Sequence, residues 1–379
     1  MGNRREFLGS AAVAAACVAA ATRLALAGER APAAAGGGAA RTLLILGGTG
    51  FIGPHLTQEA LRRGWQVTHF NRGKRDADGV PGVETLLGDR KGQLDALRRR
   101  RWDAVVDNTG YIPKFVRQSA QLLAPNTGYC LFVSSISAYA GFSRANDEDS
   151  PTGVLADPNE EKITNDSYGP MKALCERHTR AAWGRRCGIV RPGYIVGPLD
   201  PTDRFTYWPV RYARGGEMLL PGTPADSIQV IDVRDLTAWM MQLVERRDAG
   251  TYNAISPPGA FTLGSLVEAC RKAAPEAATR VTWVGEDFLA SQWKPEELDL
   301  PPWAPMHGET AGVSFTSDRR ARAAGLAVRP LEQSVHDTLE WFRSLPPERQ
   351  GTLKAGLDPQ KEAATLAAFH ASTGQARRE

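Results

Sequence analysis

Short apolar segments alternate with amphipathic ones over most of the chain, and this alternation restricts the fold more than any other feature. Strands separated by helical spacers pair in parallel through crossover connections, so the pattern predicts an α/β fold with a doubly wound parallel sheet of the Rossmann type. The predicted strands are Thr42–Leu46, Gln66–Phe70, Glu84–Leu87, Ala104–Asp107, Tyr129–Ser134 and Gly188–Arg191. The predicted helices are the stretch that ends at Arg63, Gln93–Arg100, Lys114–Leu123 and Tyr168–Trp183.

The pattern becomes irregular after Pro192, where glycine, proline and aromatic residues are frequent. We therefore divide the body into a dinucleotide-binding core at 41–191 and a smaller substrate lobe at 192–345. Elements of the core return within 225–255, so the lobe is interleaved with it. The later predicted elements are a strand at Ile228–Ile231, a helix from Asp235, a helix at Leu263–Ala274, a strand at Arg280–Val284 and a helix at Leu331–Leu345. The tail, 346–379, has one candidate helix at Gln360–His370.

A glycine-rich turn follows the first predicted strand and opens the first helix. Gly47, Gly50 and Gly53 have the spacing G-x-x-G-x-x-G, and Phe51 and Ile52 lie between the last two glycines. Such a turn lets the backbone approach a pyrophosphate, which the helix N-terminus then binds. The turn therefore predicts a dinucleotide cofactor, NAD(P), as opposed to a simple connection.

The end of the second strand indicates which dinucleotide binds. An acidic residue there would bind the adenosine ribose, but this chain has Asn71 and Arg72, followed by Lys74 and Arg75. Cations suit a 2′-phosphate, so we favour NADP(H) over NAD(H), the alternative being a solvated surface charge. Asp89 is expected near the adenine. Asn108 and Thr109 are expected near the ribose, or else as strand-end caps.

Tyr168 and Lys172 lie one helical turn apart, and Ser135 ends a strand at the edge where ligands bind in such sheets. A free phenol is a poor base at neutral pH, but a nearby ammonium group favours the phenolate. Lys172 can also bind the nicotinamide ribose. Ser135 can hold the substrate oxygen while Tyr168 transfers the proton. We predict Ser135, Tyr168 and Lys172 as the catalytic residues.

Several ordered motifs together resemble a known family. They are Gly50-Phe51-Ile52-Gly53, Ser134-Ser135, Tyr168-x-x-x-Lys172 and Arg191-Pro192-Gly193-Tyr194-Ile195-Val196-Gly197-Pro198. These motifs are similar to those of the extended short-chain dehydrogenase/reductases, the NAD-dependent epimerase/dehydratase group. The resemblance covers roughly 41–345 and implies the same catalytic roles for Ser135, Tyr168 and Lys172. It departs from the family at Leu46, where a threonine is usual, and at Asn71 and Arg72.

The resemblance implies an NAD(P)-dependent oxidoreductase or epimerase that acts at a secondary alcohol or ketone of a small molecule, such as a sugar or sugar nucleotide. The alternative is a non-catalytic nucleotide- or RNA-binding relative, since Phe70-Asn71-Arg72-Gly73 also resembles chloroplast stem-loop RNA-binding proteins. The catalytic set and a net charge of only +4 argue against a nucleic-acid partner. Residues after Gly197-Pro198 are candidates for substrate contact, with packing aromatics and surface arginines as the alternative: Arg204, Tyr207, Trp208 and Arg211.

The N-terminus predicts export. Arg4-Arg5-Glu6-Phe7-Leu8, an alanine-rich stretch and Ala25-Leu26-Ala27 resemble a twin-arginine signal peptide at 1–27, with a flexible linker at 28–40. The apolar stretch is too short for a stable membrane anchor. We therefore expect the export machinery as a partner and a periplasmic or extracellular location, and we leave a homodimer open. No histidine or cysteine has metal-ligand spacing, so we assign no metal.

Overall fold

The computed structural model describes residues 40–73, 80–294, 298 and 300–376. The predicted signal peptide, most of the linker, Lys74 and Arg75 lie outside these residues. The strands, in chain order, are β1 (Thr42–Leu46), β2 (Gln66–Asn71), β3 (Glu84–Leu87), β4 (Trp102–Asp107), β5 (Thr127–Val133), β6 (Cys187–Pro192), β7 (Tyr194–Val196), β8 (Gly216–Pro221), β9 (Ser227–Ile228), β10 (Val230–Asp232), β11 (Gly250–Ala254), β12 (Phe261–Thr262) and β13 (Thr279–Val284).

The helices cover both faces of the main sheet and most of the second lobe. In chain order they are α1 (Ile52–Arg62), α2 (Pro113–Leu123), α3 (Asn165–Trp183), α4 (Tyr207–Ala213), α5 (Val233–Arg246), α6 (Leu263–Ala273), α7 (Glu286–Gln292), α8 (Arg319–Ala323), α9 (Leu331–Arg343), α10 (Pro347–Gln350) and α11 (Pro359–Ala376). In the part of the chain that the structure describes, no helix has the length and apolar character needed to cross a membrane.

The main sheet has seven parallel strands in the order β3-β2-β1-β4-β5-β6-β11, which confirms the predicted Rossmann-type fold. Its central strands are apolar along their whole length because both faces are covered. In β1, Leu43 and Ile45 pack on the side of α1 and α5, whereas Leu44 and Leu46 pack on the opposite side. The order reverses between β1 and β4, and ligands bind at this point in such sheets.

One predicted helix is wrong. The segment Gln93–Arg100 forms only a short 3₁₀ helix at Asp95–Leu97. Arg98 is already extended, and Arg99 has a positive φ of 60°. The chain must turn here to enter β4 at Trp102, so the helical periodicity is overridden by the connection.

The second lobe contains the short strand pairs β7/β10, β9/β12 and β8/β13, with α4, α6 and α9 packed around their apolar core. Helix α5 and strand β11 return to the main sheet, so the two parts are interleaved as predicted. Helix α11 belongs to the lobe as well. Its Leu366 is buried in the same core, and Trp293 donates a hydrogen bond to its Thr365 at 2.9 Å.

Candidate active site

A cleft of about 660 Å³ opens at the carboxyl ends of the central strands. Most of the residues that the sequence singled out for the cofactor and for catalysis line it: Gly47, Gly50, Phe51, Ile52, Asn71, Arg72, Asp89, Asn108, Thr109, Ser135, Tyr168 and Lys172. These residues come from five strand ends and the start of α3. Parallel strands bring all of their carboxyl ends to one edge, which explains how distant sequence positions meet here.

The three glycines of the turn have different structural reasons to lack a side chain. Gly47 has a φ of +91°, and a Cβ on Gly53 would lie 2.3 Å from the carbonyl of Gly48. A Cβ on Gly50 would meet no protein atom within 4 Å. Gly47 and Gly53 therefore serve the turn itself, whereas Gly50 leaves open space in the cleft. The turn thus fits a bound pyrophosphate that approaches the backbone at Gly50.

Polar groups from β4 hold this turn in place. Asn108 donates from Nδ2 to the carbonyl oxygen of Gly47 at 3.0 Å, and Thr109 donates from Oγ1 to that of Leu46 at 3.2 Å. A Cβ on Gly47 would lie only 2.0 Å from the Thr109 side chain. Asn108 and Thr109 line the cleft, but these bonds also make them supports of the phosphate-binding turn.

The adenosine end of the cleft has an unpaired acceptor and an unpaired cation. Oδ1 of Asn71 is buried without a hydrogen-bond partner. Arg72 is exposed, and no ion pair or hydrogen bond joins it to the rest of the described chain. Asp89 accepts a hydrogen bond from the backbone of Lys91 at 3.0 Å. Asn71 and Arg72 are therefore both available to the adenosine end of a dinucleotide.

Ser135 and Tyr168 meet because α3 lies very close to the turn after β5. A Cβ on Gly169 would lie 2.1 Å from the carbonyl oxygen of Ser137, so only glycine permits this approach. Burial raises the pKa of Tyr168, and a hydrogen bond with the Ser135 hydroxyl and the positive charge of Arg204 oppose that rise. The local environment therefore keeps the phenol protonated until other charges act on it.

Lys172 lies one helical turn after Tyr168 on α3 and is buried, with 2% of its surface exposed. Its Nζ donates to the carbonyl oxygens of Val133 at 2.7 Å and of Gly110 at 2.8 Å. Burial lowers the pKa of Lys172 to about 8. Two of its three N–H groups are thus used by the backbone, and the residue also lines the cleft.

Of the four candidate substrate residues, only Arg204 lines the cleft. Tyr207 and Trp208 are each 2% exposed in the core of the second lobe, and Trp208 donates to the carbonyl oxygen of Pro301 at 2.8 Å. Arg211 forms an ion pair with Glu362 of α11 at 2.8 Å. The interpretation of Tyr207, Trp208 and Arg211 as substrate contacts is therefore corrected, because all three stabilise the lobe.

The cleft has further lining residues that the sequence did not single out: Tyr111, Phe142, Ile163, Tyr194 and Asp200. For two of these residues, the position in the sequence could have indicated a place in the cleft. Tyr111 follows Asn108-Thr109 at the end of β4, and Asp200 comes three residues after Gly197 of the resembling motif. The tyrosine rings of Tyr111 and Tyr168 lie 6.4 Å apart. Phe142 and Ile163 gave no local signal, since they lie in connections.

A buried ion pair between Glu176 and Arg191 supports the turn that carries Ser135. Glu176 binds Arg191 through Nε at 2.9 Å and Nη2 at 2.7 Å, and both side chains are 5% exposed. Ser134 donates its hydroxyl hydrogen to the same carboxylate. Glu176 lies one turn after Lys172 on α3, so this spacing could have identified it. The pair connects α3, β6 and the turn that carries Ser135.

The thiols are structural in character. Cys130, Cys175, Cys187 and Cys270 are buried and unpaired, and burial raises the pKa of Cys270 strongly. Within the described ranges, no group of three or more histidine, cysteine or acidic side chains could hold a metal ion.

Comparison with known proteins agrees with this geometry. The model of the NAD dependent epimerase/dehydratase family matches residues 43–255. A dTDP-4-dehydro-6-deoxy-D-allose reductase of Streptomyces bikiniensis is 24% identical, over 80% of this chain and 96% of its own. A chloroplast stem-loop binding protein of 41 kDa from Arabidopsis thaliana is 27% identical, over 62% of this chain and 63% of its own.

The fold is also similar to that of a solved structure. WbmH of Bordetella bronchiseptica, in complex with NAD+, has a TM-score of 0.59 at 16% identity, covering 80% of this chain and 99% of its own. The family match spans more than half of the sequence and includes the turn, the predicted catalytic residues and the strand ends that form the cleft. This chain therefore belongs to the NAD dependent epimerase/dehydratase family and is an enzyme of the extended short-chain dehydrogenase/reductase type.

Proposed function

We propose that the enzyme transfers a hydride between a nicotinamide dinucleotide and a secondary alcohol or ketone carbon of a sugar. One observation carries this proposal: Ser135, Tyr168 and Lys172 line the same cleft as the glycine-rich turn. The dTDP-sugar reductase among the relatives supports a sugar as the substrate class.

Each of the three residues has a distinct task in this reaction. Ser135 donates a hydrogen bond to the substrate oxygen, and Tyr168 gives or takes the proton of that oxygen. The Lys172 ammonium stabilises the phenolate, and its remaining N–H suits a ribose hydroxyl of the cofactor. The dinucleotide, when bound at Gly50, supplies or accepts the hydride.

The Tyr168→Phe variant tests these assignments. The purified protein is denatured, and mass spectrometry identifies the released dinucleotide. Candidate sugars are then added to the cofactor-loaded enzyme. The absorbance of reduced nicotinamide detects net oxidation or reduction, and NMR of the sugar detects an epimer formed without net redox change. We expect Tyr168→Phe to bind the dinucleotide normally and to lose turnover by about 1,000-fold. Full activity in this variant, or the absence of dinucleotide binding in the unmodified protein, would contradict the proposal.

The cofactor is NADP(H) in preference to NAD(H) in this proposal. Arg72 and the buried Oδ1 of Asn71 support it, since neither has a hydrogen-bond or ion-pair partner among the described residues and both residues line the adenosine end of the cleft. Arg72→Ala should weaken NADPH binding roughly 10- to 100-fold by loss of a charge-assisted bond, and leave NADH binding unchanged. Arg101→Ala, another exposed arginine before β4, is the control. Equal effects of Arg72→Ala on both cofactors would refute the preference.

We also propose that residues 1–27 direct export and that the enzyme acts outside the cytoplasm. An exported enzyme has no ready supply of fresh NADPH, which favours a reaction that regenerates its own cofactor, such as epimerisation through a transient ketone. Arg4→Lys combined with Arg5→Lys should leave the protein in the cytoplasmic fraction of the producing cells. Unchanged export of that double variant would exclude the twin-arginine route.

A further inference from the structure

Arg204 is the last residue in chain order that lines the cleft, and no later residue of the described chain lines it. The dinucleotide must occupy much of this volume, because the cleft includes the glycine-rich turn and the adenosine end. A nucleotide-activated sugar contains a nucleoside, a diphosphate and a hexose, and is thus nearly as large as the dinucleotide itself. A nucleotide-activated sugar would therefore need a second part of the cleft, about as long as the part that the dinucleotide occupies.

The lobe residues on either side of Arg204 in the chain pack against the C-terminal segment. Asp203 is fully buried, and its carboxylate accepts hydrogen bonds from the Arg349 side chain and, at 2.9 Å, from the Lys354 backbone. Tyr207 packs against the backbone at Gly356, where a Cβ would lie 1.9 Å from the ring. Arg211 is bound by Glu362. The C-terminal segment thus lies against the part of the lobe next to Arg204, and Arg349 of this segment is already paired with Asp203.

Arg204 itself is held in position and keeps its charge free. Its Nε donates to Oγ1 of Thr202 at 3.3 Å, and its guanidinium carbon lies 5.5 Å from the centre of the Tyr194 ring. No carboxylate of the described chain forms an ion pair with it. A half-buried guanidinium with free Nη groups is suited to bind a carboxylate or phosphate in a bidentate manner.

Asp200 provides a hydroxyl-binding group beside this cation. It is 2% exposed, and its Oδ1 accepts from the hydroxyl of Thr202 at 2.7 Å. Its Oδ2 is buried without a partner, although Asp200 lines the cleft. Burial raises the pKa of this carboxyl, which reduces its repulsion of a nearby anion. A ligand hydroxyl would satisfy the unpaired oxygen.

We propose that the substrate is a monosaccharide-sized polyol with one anionic group, which Arg204 binds, and that it carries no nucleotide. The inference rests on the proposed hydride transfer and narrows its substrate class. Arg204 lines the same cleft as Tyr168, and its charge acts on the Tyr168 phenol, so an anion bound by Arg204 would belong to the same small molecule as the reacting carbon. A sugar acid and a sugar phosphate both provide this chemistry.

The test compares free and nucleotide-linked sugars on the full-length protein loaded with NADP+. The probes are D-glucuronate and D-gluconate, glucose 6-phosphate, and UDP-glucose and dTDP-glucose. Binding is measured by calorimetry, and redox change by nicotinamide absorbance. We expect a free sugar acid or sugar phosphate to bind, and the nucleotide sugars to bind at least about tenfold more weakly. Binding of the carboxylates alone or of the phosphate alone identifies the anion.

The variant Arg204→Gln provides the second part of the test. Its matched control is Arg214→Gln, because Arg214 is an exposed arginine just after α4. Arg204→Gln should weaken binding of the anionic probe about 30-fold and leave NADP+ affinity unchanged, whereas Arg214→Gln should change neither. Tighter binding of a nucleotide sugar, no binding of any free anionic sugar, or equal effects of the two variants would overturn the inference. Normal NADP+ binding in those cases would leave the proposed hydride transfer standing.

Discussion

Lys172 carries its charge in a site that disfavours it, since burial lowers its pKa to about 8 and two backbone carbonyls are its hydrogen-bond partners. A charged lysine in such a site costs folding free energy. Its lowered pKa means that it binds its proton less tightly than in the unfolded chain. At the residue scale, the proposed role of Lys172 in catalysis and its contribution to stability therefore oppose each other.

This opposition predicts a pH-dependent difference between the native protein and Lys172→Met. The unfolded pKa exceeds the folded one, so the cost of the charged amine is complete below pH 8 and is relieved as the pH rises towards 10.5. The unfolding free energy of the native protein should therefore increase relative to Lys172→Met between pH 7 and pH 10, by up to about 3 kcal/mol. Urea denaturation at both pH values measures it. A constant difference would show that the amine is not strained by burial.

At the scale of elements, helix α3 and the glycine-rich turn contain most of what the sequence could predict. Tyr168, Lys172 and Glu176 follow one another at one-turn spacing, and the turn lies directly after a strand. These are local patterns, so they were visible without a structure. The contact of Gly169 with Ser137 was not visible, because it depends on how α3 packs against a turn more than 30 positions earlier.

The geometry of the glycine-rich turn predicts that alanine at Gly50 mainly weakens dinucleotide binding, whereas alanine at Gly53 mainly lowers stability. Gly50→Ala adds a methyl group to open space, so its unfolding free energy should change by less than about 1 kcal/mol. The same methyl group lies where a pyrophosphate would approach, and dinucleotide affinity should fall at least about tenfold. Gly53→Ala brings its Cβ against the Gly48 carbonyl and should cost about 1–3 kcal/mol of stability.

Denaturation and dinucleotide titration of both variants test this pair. Normal dinucleotide affinity in a stable Gly50→Ala protein would mean that the phosphates do not approach the backbone at Gly50. Gly53→Ala is the internal control for a purely structural glycine of the same turn. Its affinity should recover under conditions that keep it folded.

At the scale of the whole molecule, the second lobe is held together by contacts between residues far apart in the sequence, which no local sequence pattern reveals. Arg211 was a candidate for substrate contact because it lies after the family-like motif, but its partner Glu362 is 151 residues further along the chain. Trp208 had the same ambiguity, since an aromatic residue can stack on a sugar or fill a core. The packing of α11 on the lobe decides the role of Arg211, whereas burial in the lobe core and the hydrogen bond to Pro301 decide that of Trp208. The sequence could therefore predict the sheet and most of the residues that meet in the cleft, but not which residues of the second lobe line it.

The docking of α11 leads to the last prediction. Glu362 is 4% exposed and accepts hydrogen bonds from Arg211 and, at 3.0 Å, from the backbone of Leu219. Glu362→Ala leaves a buried guanidinium without its carboxylate, which should cost about 3–5 kcal/mol. Glu348→Ala removes the same charge from an exposed position and should change stability by less than about 0.5 kcal/mol. Urea denaturation compares the two, and equal stability would show that the bonds of Glu362 to Arg211 and Leu219 do not stabilise the docking of α11.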